Sequence, residues 1–219
     1  MYRFYKYNAV LISFLALMAI YSSMQQWQAY SILKPLTTLI ILVIPWVRGT
    51  GVSKNFRKWM FLGLVFCLAG DVFLLWDSFF LFGLGAFLVA HLLFALAFTK
   101  HFGFTKHLGV LLVILSISAV IYGFFWPHLY ALKGPVLGYM LAIAFMTWQG
   151  VGAHFKHANA TSRLVTLGAI SFMLSDSLLG YNKFVSPLPC DSLWVLSSYW
   201  FAIYCLAKAT IQTAIRVPK

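Results

Sequence analysis

Phe66-Cys67-Leu68-Ala69-Gly70-Asp71-Val72-Phe73-Leu74-Leu75 sets one carboxylate in the middle of an otherwise apolar run, and Ser171-Phe172-Met173-Leu174-Ser175-Asp176-Ser177-Leu178-Leu179 repeats the arrangement later in the chain. The 219 residues contain 4 acidic side chains, all Asp, so half of them sit where a carboxylate is most expensive. An ionisable group at the centre of a membrane helix costs roughly 3 kcal/mol on insertion scales. Residues kept at that cost line a cavity, pair with one another or do chemistry.

Working outward, the surroundings of both runs read as membrane. Hydrophobic residues make up 62% of the chain and charged residues 9%, with a mean hydropathy of +0.88. A soluble domain carries about a quarter of its residues as charge. Apolar stretches long enough to cross a hydrocarbon core of roughly 30 Å recur throughout. Backbone groups in lipid have no water to bond, so such stretches are helices. Eight spans are expected, at about 8–25, 32–47, 58–76, 79–99, 107–126, 135–154, 163–184 and 192–213. Short connections leave no room for a soluble domain, so residues 1–219 are expected to form a single polytopic all-α bundle. The first span follows Arg3 and Lys6 like a signal peptide, but no convincing small-residue cleavage site comes after it, and a retained helix is expected.

The net charge of +12 raises nucleic acid as a partner, and its distribution argues against that. With eight spans, one side carries Arg3, Lys6, Arg48, Lys54, Arg57, Lys58, Lys100, Lys106, Lys156, Arg163, Lys208, Arg216 and Lys219, and the other Lys34, Lys133 and Lys183 with Asp77 and Asp191. That bias follows the positive-inside rule and puts both termini in the cytoplasm. No basic–aromatic nucleic-acid pattern accompanies it. Short loops suit a bacterial plasma membrane. Cys67 and Cys205 fall inside spans and Cys190 in an outer loop, with no metal-type spacing and no disulfide framework.

Asp71 lies thirteen positions past Lys58 (71−58), and Asp176 thirteen past Arg163 (176−163). Both helices enter from the same side, so the carboxylates are expected about 20 Å along their helices at matching depth. The sequence therefore permits a shared site. Lys34 opens the second span as Leu33-Lys34-Pro35, with Pro35 expected in the first turn, and its ammonium can reach down to a carboxylate or up to a lipid phosphate. Leu132-Lys133-Gly134-Pro135 precedes Asp176 much as Leu33-Lys34-Pro35 precedes Asp71, a weak echo of a 4+4 parallel repeat. On the seventh span Gly168, Phe172, Asp176, Gly180 and Lys183 share a face, and on the fourth Gly83, Phe87, His91 and Ala95 do. His91 is expected somewhat deeper than the aspartates, as a packing residue or a catalytic one. Tyr199 projects from the eighth span towards either a substrate or a carboxylate. The other histidines, at 101, 107, 128, 154 and 157, fall at span ends and read as headgroup contacts.

Lys34-Pro35, Gly70-Asp71, Gly83 through His91, Ser175-Asp176 and Tyr199 through Ala202 together resemble the YhhN family of transmembrane lysoplasmalogenases. The resemblance runs from the second to the eighth span. The chain departs from the family pattern at Phe94, where the pattern often has Tyr, and at Ile203, where it often has Gln. The resemblance implies hydrolysis of the vinyl ether bond of a 1-alkenyl lysophospholipid to a fatty aldehyde and a glycerophospho-alcohol. Vinyl ethers resist nucleophiles but yield to a proton delivered to the β-carbon. That chemistry calls for one carboxylic acid and one carboxylate, a division that two neighbouring buried aspartates supply as a coupled unit. Asp71 and Asp176 are the expected catalytic pair, with Lys34, His91 and Tyr199 binding or supporting, and no cofactor or metal is expected.

Two other classes fit the residues. A proton-coupled carrier uses intramembrane Asp residues as a relay, and a parallel repeat suits it. A non-catalytic lipid-binding scaffold would hold the aspartates merely as an ion pair with Lys34.

Overall fold

In the computed structural model the chain is described over residues 2–46 and 52–211, with side chains from Asn8 onward. Arg48, Arg216 and Lys219, the side chains of Arg3 and Lys6, and the expected span ends at 47 and 212–213 lie outside the described residues. Eight α-helices follow in order, with no strand among the described residues: α1 (Tyr2–Met24), α2 (Tyr30–Val43), α3 (Lys54–Phe73), α4 (Phe80–Phe102), α5 (Leu108–Phe125), α6 (Lys133–His157), α7 (Ala160–Phe184) and α8 (Asp191–Ala209). Each overlaps an expected span, with ends that differ by at most four residues except at the start of α1, which begins six residues early. Among the described residues, four stretches are long and apolar enough to cross a membrane alone: Asp77–Phe102, Leu108–His128, Tyr130–His157 and Ala160–Phe184.

The helix ends follow local chemistry. Ser53 accepts a hydrogen bond from the Phe56 N–H to start α3. Asn159 and Ser162 form a reciprocal capping box at α7, which satisfies two donors that a helix start otherwise leaves bare. α6 stops at Ala158 in the left-handed region, φ 39°. One expectation is corrected at α2. That helix begins at Tyr30, its first N–H groups closed by tight bonds to Trp27, Gln28 and Ala29, so Pro35 lies inside the helix and not in its first turn. The ring thereby removes one backbone donor just beside Lys34.

The most extensive pairings are α3 with α4 and α7 with α8, and α6 joins them by packing on both α4 and α7. α1 and α2 close the bundle against α3 and α8, while α5 leans on α6 and barely touches α7. Phe94, Phe98, Phe172, Leu206 and Ile203 form the dry centre. The α3–α4 approach is close because Gly70 carries no side chain. A Cβ there would come within 2.6 Å of the Phe87 ring. Phe94, the family departure, packs over Gly63 and beside Phe172 in wholly apolar surroundings, where a tyrosine hydroxyl would need a partner. Large apolar side chains such as Phe14, Ile32, Leu112, Val120 and Phe124 face outward, as lipid contact requires.

Candidate active site

Asp71 sits one turn from the end of α3 and is 1% exposed. Its Oδ2 accepts hydrogen bonds from the Thr38 hydroxyl of α2 at 2.5 Å and from the Tyr199 hydroxyl of α8 at 2.8 Å. Oδ1 faces the Lys34 ammonium at 3.8 Å. Lys34 and Thr38 are one helical turn apart on α2, which is why one face of that helix presents both groups. The Trp200 indole N–H donates to Thr38 Oγ1 at 3.2 Å. Trp200, Thr38 and Asp71 thus form a chain of donors that ends on the carboxylate. Neutral donors and a cation converging on one buried acid form the partner set of an ionised carboxylate.

Asp176, about two thirds of the way along α7, has different company. Its Oδ2 accepts a hydrogen bond from the Tyr139 hydroxyl of α6. His91 Nε2 of α4 lies 3.4 Å from the same oxygen, but the ring is not aligned for a hydrogen bond, and both of its nitrogens are buried without one. The imidazole is wedged edge-on against Phe172 and Tyr139, with centroids 4.6 and 5.3 Å away. Oδ1 has no protein partner among the described residues, no cation pairs with the carboxyl, and the side chain is 10% exposed. This is a carboxyl group with one face open.

The two acids do not touch through a hydrogen bond. Both line one cavity of about 260 Å³ instead. Tyr199, Phe87 and Leu196 complete its inner wall, and Lys34, Lys183, Asp77 and Asp191 ring it towards the helix ends. At the rim the Lys183 ammonium is 2.8 Å from Asp77 Oδ1, and Asn182 donates to Asp191 Oδ2 at 2.9 Å. A second, apolar slot lies between α4, α5, α6 and α7. It shares Phe80, Asp176 and Leu179 with the polar cavity. Asp176 therefore stands where a polar cavity meets an apolar one.

Each residue singled out by sequence is accounted for. Lys34 and Tyr199 are on Asp71. His91 is beside Asp176, its Nε2 3.4 Å from Oδ2. Sequence reasoning missed Tyr139, Thr38 and Trp200. Three of the histidines at span ends contact the protein: His157 Nε2 bonds the Phe102 carbonyl at 2.8 Å, His107 caps α5, and His101 stacks on Phe56. Cys67, Cys190 and Cys205 are free thiols. No group of three or more His, Cys or Asp side chains placed to hold a metal ion occurs among the described residues.

A sequence profile of the YhhN family matches residues 29–210. The chain belongs to the YhhN family. Residues 29–210 take in every helix that carries a site residue, from Lys34 on α2 to Tyr199 on α8. Among its relatives, the lysoplasmalogenase TMEM86B of Sus scrofa is 32% identical over 182 residues, 82% of this chain and 73% of that protein. The lysoplasmalogenase TMEM86A of Bos taurus is 33% identical over 162 residues, 70% of this chain. There the chain spans 65% of the relative's length, just under two thirds. A lysoplasmalogenase of Mycobacterium bovis is 31% identical over 138 residues, 59% of this chain and 51% of that protein. No solved structure matches the chain.

Proposed function

We propose that this YhhN-family chain hydrolyses the vinyl ether bond of a 1-alkenyl lysophospholipid, with Asp176 as the proton donor and Asp71 as the fixed negative charge. The single observation that carries this reading is the unequal provisioning of two carboxyls on one cavity: Asp71 is enclosed by Lys34, Thr38 and Tyr199, while Asp176 has an oxygen open to the cavity. The relatives' shared name, lysoplasmalogenase, points to the same bond.

Asp176 gives its proton to the β-carbon of the alkenyl group, leaving an oxocarbenium ion. Asp71, across the cavity, stabilises that cation without forming a bond to it. Water then adds to the cationic carbon, and the Asp176 carboxylate takes up the proton that water loses. The hemiacetal collapses to a fatty aldehyde and a glycerophospho-alcohol, and Asp176 is again an acid. Proton transfer by a positioned side chain contributes roughly 10²–10⁴-fold. Tyr139 orients Asp176 through its hydroxyl, and Tyr199 orients Asp71.

The donors are cross-wired in a way that supports a parallel 4+4 repeat. Asp71 takes a hydroxyl from α2 of its own half and one from α8 of the other. Asp176 takes a hydroxyl from α6 of its own half and faces the imidazole of α4 from the other. The charge bias between the two ends supports eight spans with both termini in the cytoplasm, and the short connections suit one polytopic domain in a bacterial plasma membrane.

The deciding experiment follows the transferred proton. Purified protein in detergent, given a 1-alkenyl lysophospholipid in D₂O, is expected to release aldehyde carrying one solvent deuterium on the carbon next to the carbonyl. Asp71→Asn and Asp176→Asn are expected to abolish release while the protein stays folded. Release without deuterium, or full activity in either variant, defeats the mechanism.

A further inference from the structure

The apolar slot has no part in the proton chemistry, yet it ends on the proton donor. Its lining on α7 runs from Met173 to Phe184, about 16 Å of helix. Near its inner end lie Ser118, Ile143 and Met173, and Ile121 and Phe125 of α5 form one long wall. Apart from Asp176 and a few hydroxyls, everything that lines it is hydrocarbon or aromatic.

The wall formed by α5 is thin. α5 leans on α6 and barely reaches α7, and two of the residues on the α7 side of the slot, Ser177 and Gly180, are small. Ser177 spends its hydroxyl on the Met173 carbonyl at 2.7 Å, so only its short apolar stem faces the slot. At Gly180 an added Cβ would lie 2.8 Å from the Phe125 ring, so that ring lies directly over the glycine. On the outside of this seam runs a lipid-facing groove lined by Phe124, Leu174, Leu178 and Leu188, and Phe124 and Leu174 are exposed. The groove and the slot share Ile121, Phe125 and Ser177. These three side chains are therefore what separates the membrane-facing groove from the slot that ends on Asp176.

We infer that the α5–α7 seam is a lateral portal through which the single hydrocarbon chain of an amphiphile passes from the bilayer into the slot. There the tail lies dry and its polar head projects past Asp176 into the cavity ringed by Lys34 and Lys183. Phe125 closes directly on Gly180, so an entering chain crosses the seam at the level of Ser177, which lines both slot and groove. This inference rests on the proposed hydrolysis for the identity of the scissile bond, but not for the occupant of the slot. A second apolar groove, between α1 and α8 and lined by Ile12, Ala16, Phe201 and Tyr204, shares no residue with the slot or the polar cavity. It is the natural competitor.

Two measurements test the portal. In the first, Ser177→Trp plugs the seam, and aldehyde release is compared for a long-chain and a short, water-soluble 1-alkenyl lysophospholipid. Turnover of the long chain is expected to fall about tenfold or more, the scale on which overfilling a packed site is felt. The short chain, which can enter through the polar mouth, is expected to keep its rate. Leu112→Trp, on the lipid-facing side of α5, should change neither. Parallel losses for both chains, or no loss for either, overturn the portal. In the second, wild-type protein is photolabelled in detergent with a non-cleavable 1-alkyl lysophospholipid carrying a diazirine at its chain end. Label is expected in the peptides of α5, α6 or α7 around Ser118, Ile143 and Met173. Label on α1 or α8 moves the tail to the competing groove and overturns the proposal. Label in the slot without aldehyde from any alkenyl substrate removes the hydrolysis reading and leaves the portal standing.

Discussion

Tyr139→Phe is the most informative single change. The tyrosine is buried on α6 and packs edge-on against His91, so phenylalanine keeps the ring, the volume and the packing. What goes is one hydroxyl, the only side-chain donor aligned on Asp176 among the described residues. His91 Nε2, 3.4 Å away and misaligned, does not replace it. A hydrogen bond to a group that is charged during the reaction is worth about 1.5–3 kcal/mol. At roughly 1.4 kcal/mol per tenfold, kcat for aldehyde release is expected to fall about 10- to 150-fold. KM should hold, because Tyr139 lies beneath the carboxyl and not beside the headgroup ring. The pH dependence of kcat should shift as well, since the Asp176 carboxylate loses its one donor, whereas a purely structural role would leave that profile in place. Steady-state kinetics in detergent with a thermal-melt control reads all three. A variant with wild-type kcat and an unmoved pH profile would refute the claim that Tyr139 positions the proton donor. Equal losses in kcat and melting temperature would assign it to packing.

Lys34→Met strips the cation from a buried carboxylate, an uncompensated change that costs about 3–5 kcal/mol, and the melting temperature should drop accordingly. Adding Asp71→Asn should restore most of the stability and none of the turnover. Gly70→Ala drives a methyl to 2.6 Å from the Phe87 ring, so overpacking is expected to cost about 1–3 kcal/mol and to lower kcat by displacing the Phe87–Tyr199 contact. Chelator treatment should leave aldehyde release unchanged, and release should persist in detergent without a sealed membrane. A requirement for two compartments would favour a proton-coupled carrier.

The helices were legible because membrane insertion forces long apolar runs, and few other folds can use them. Asp71 and Asp176 were legible for the same reason in reverse, as residues that the solvent forbids unless something is gained. Lys34 and Tyr199 sit at the right level on spans whose direction the charge bias suggests. Tyr139 was hidden because a tyrosine near a span end is ordinary, and the chain holds 11 of them. One faint signal existed: aligning Pro135 with Pro35 puts Tyr139 one position past the counterpart of Thr38, and these two hydroxyls serve the two acids. Thr38 and Trp200 were illegible because helical periodicity gives a residue's face but not the rotation of one helix against the next.

The Trp200–Thr38–Asp71–Tyr199 chain has a mechanical meaning. Hydrocarbon contacts between smooth helices resist separation but hardly resist sliding, because one apolar ridge serves about as well as the next. These bonds do resist it. If α8 slipped by one turn against α2 and α3, about 5.4 Å, the Tyr199 hydroxyl and the Trp200 indole N–H would be stranded without their partners in a medium that offers no substitute. The polar knot thus acts as a detent that sets the axial register of α8 against α2 and α3, and the precision of the cavity is inherited from it.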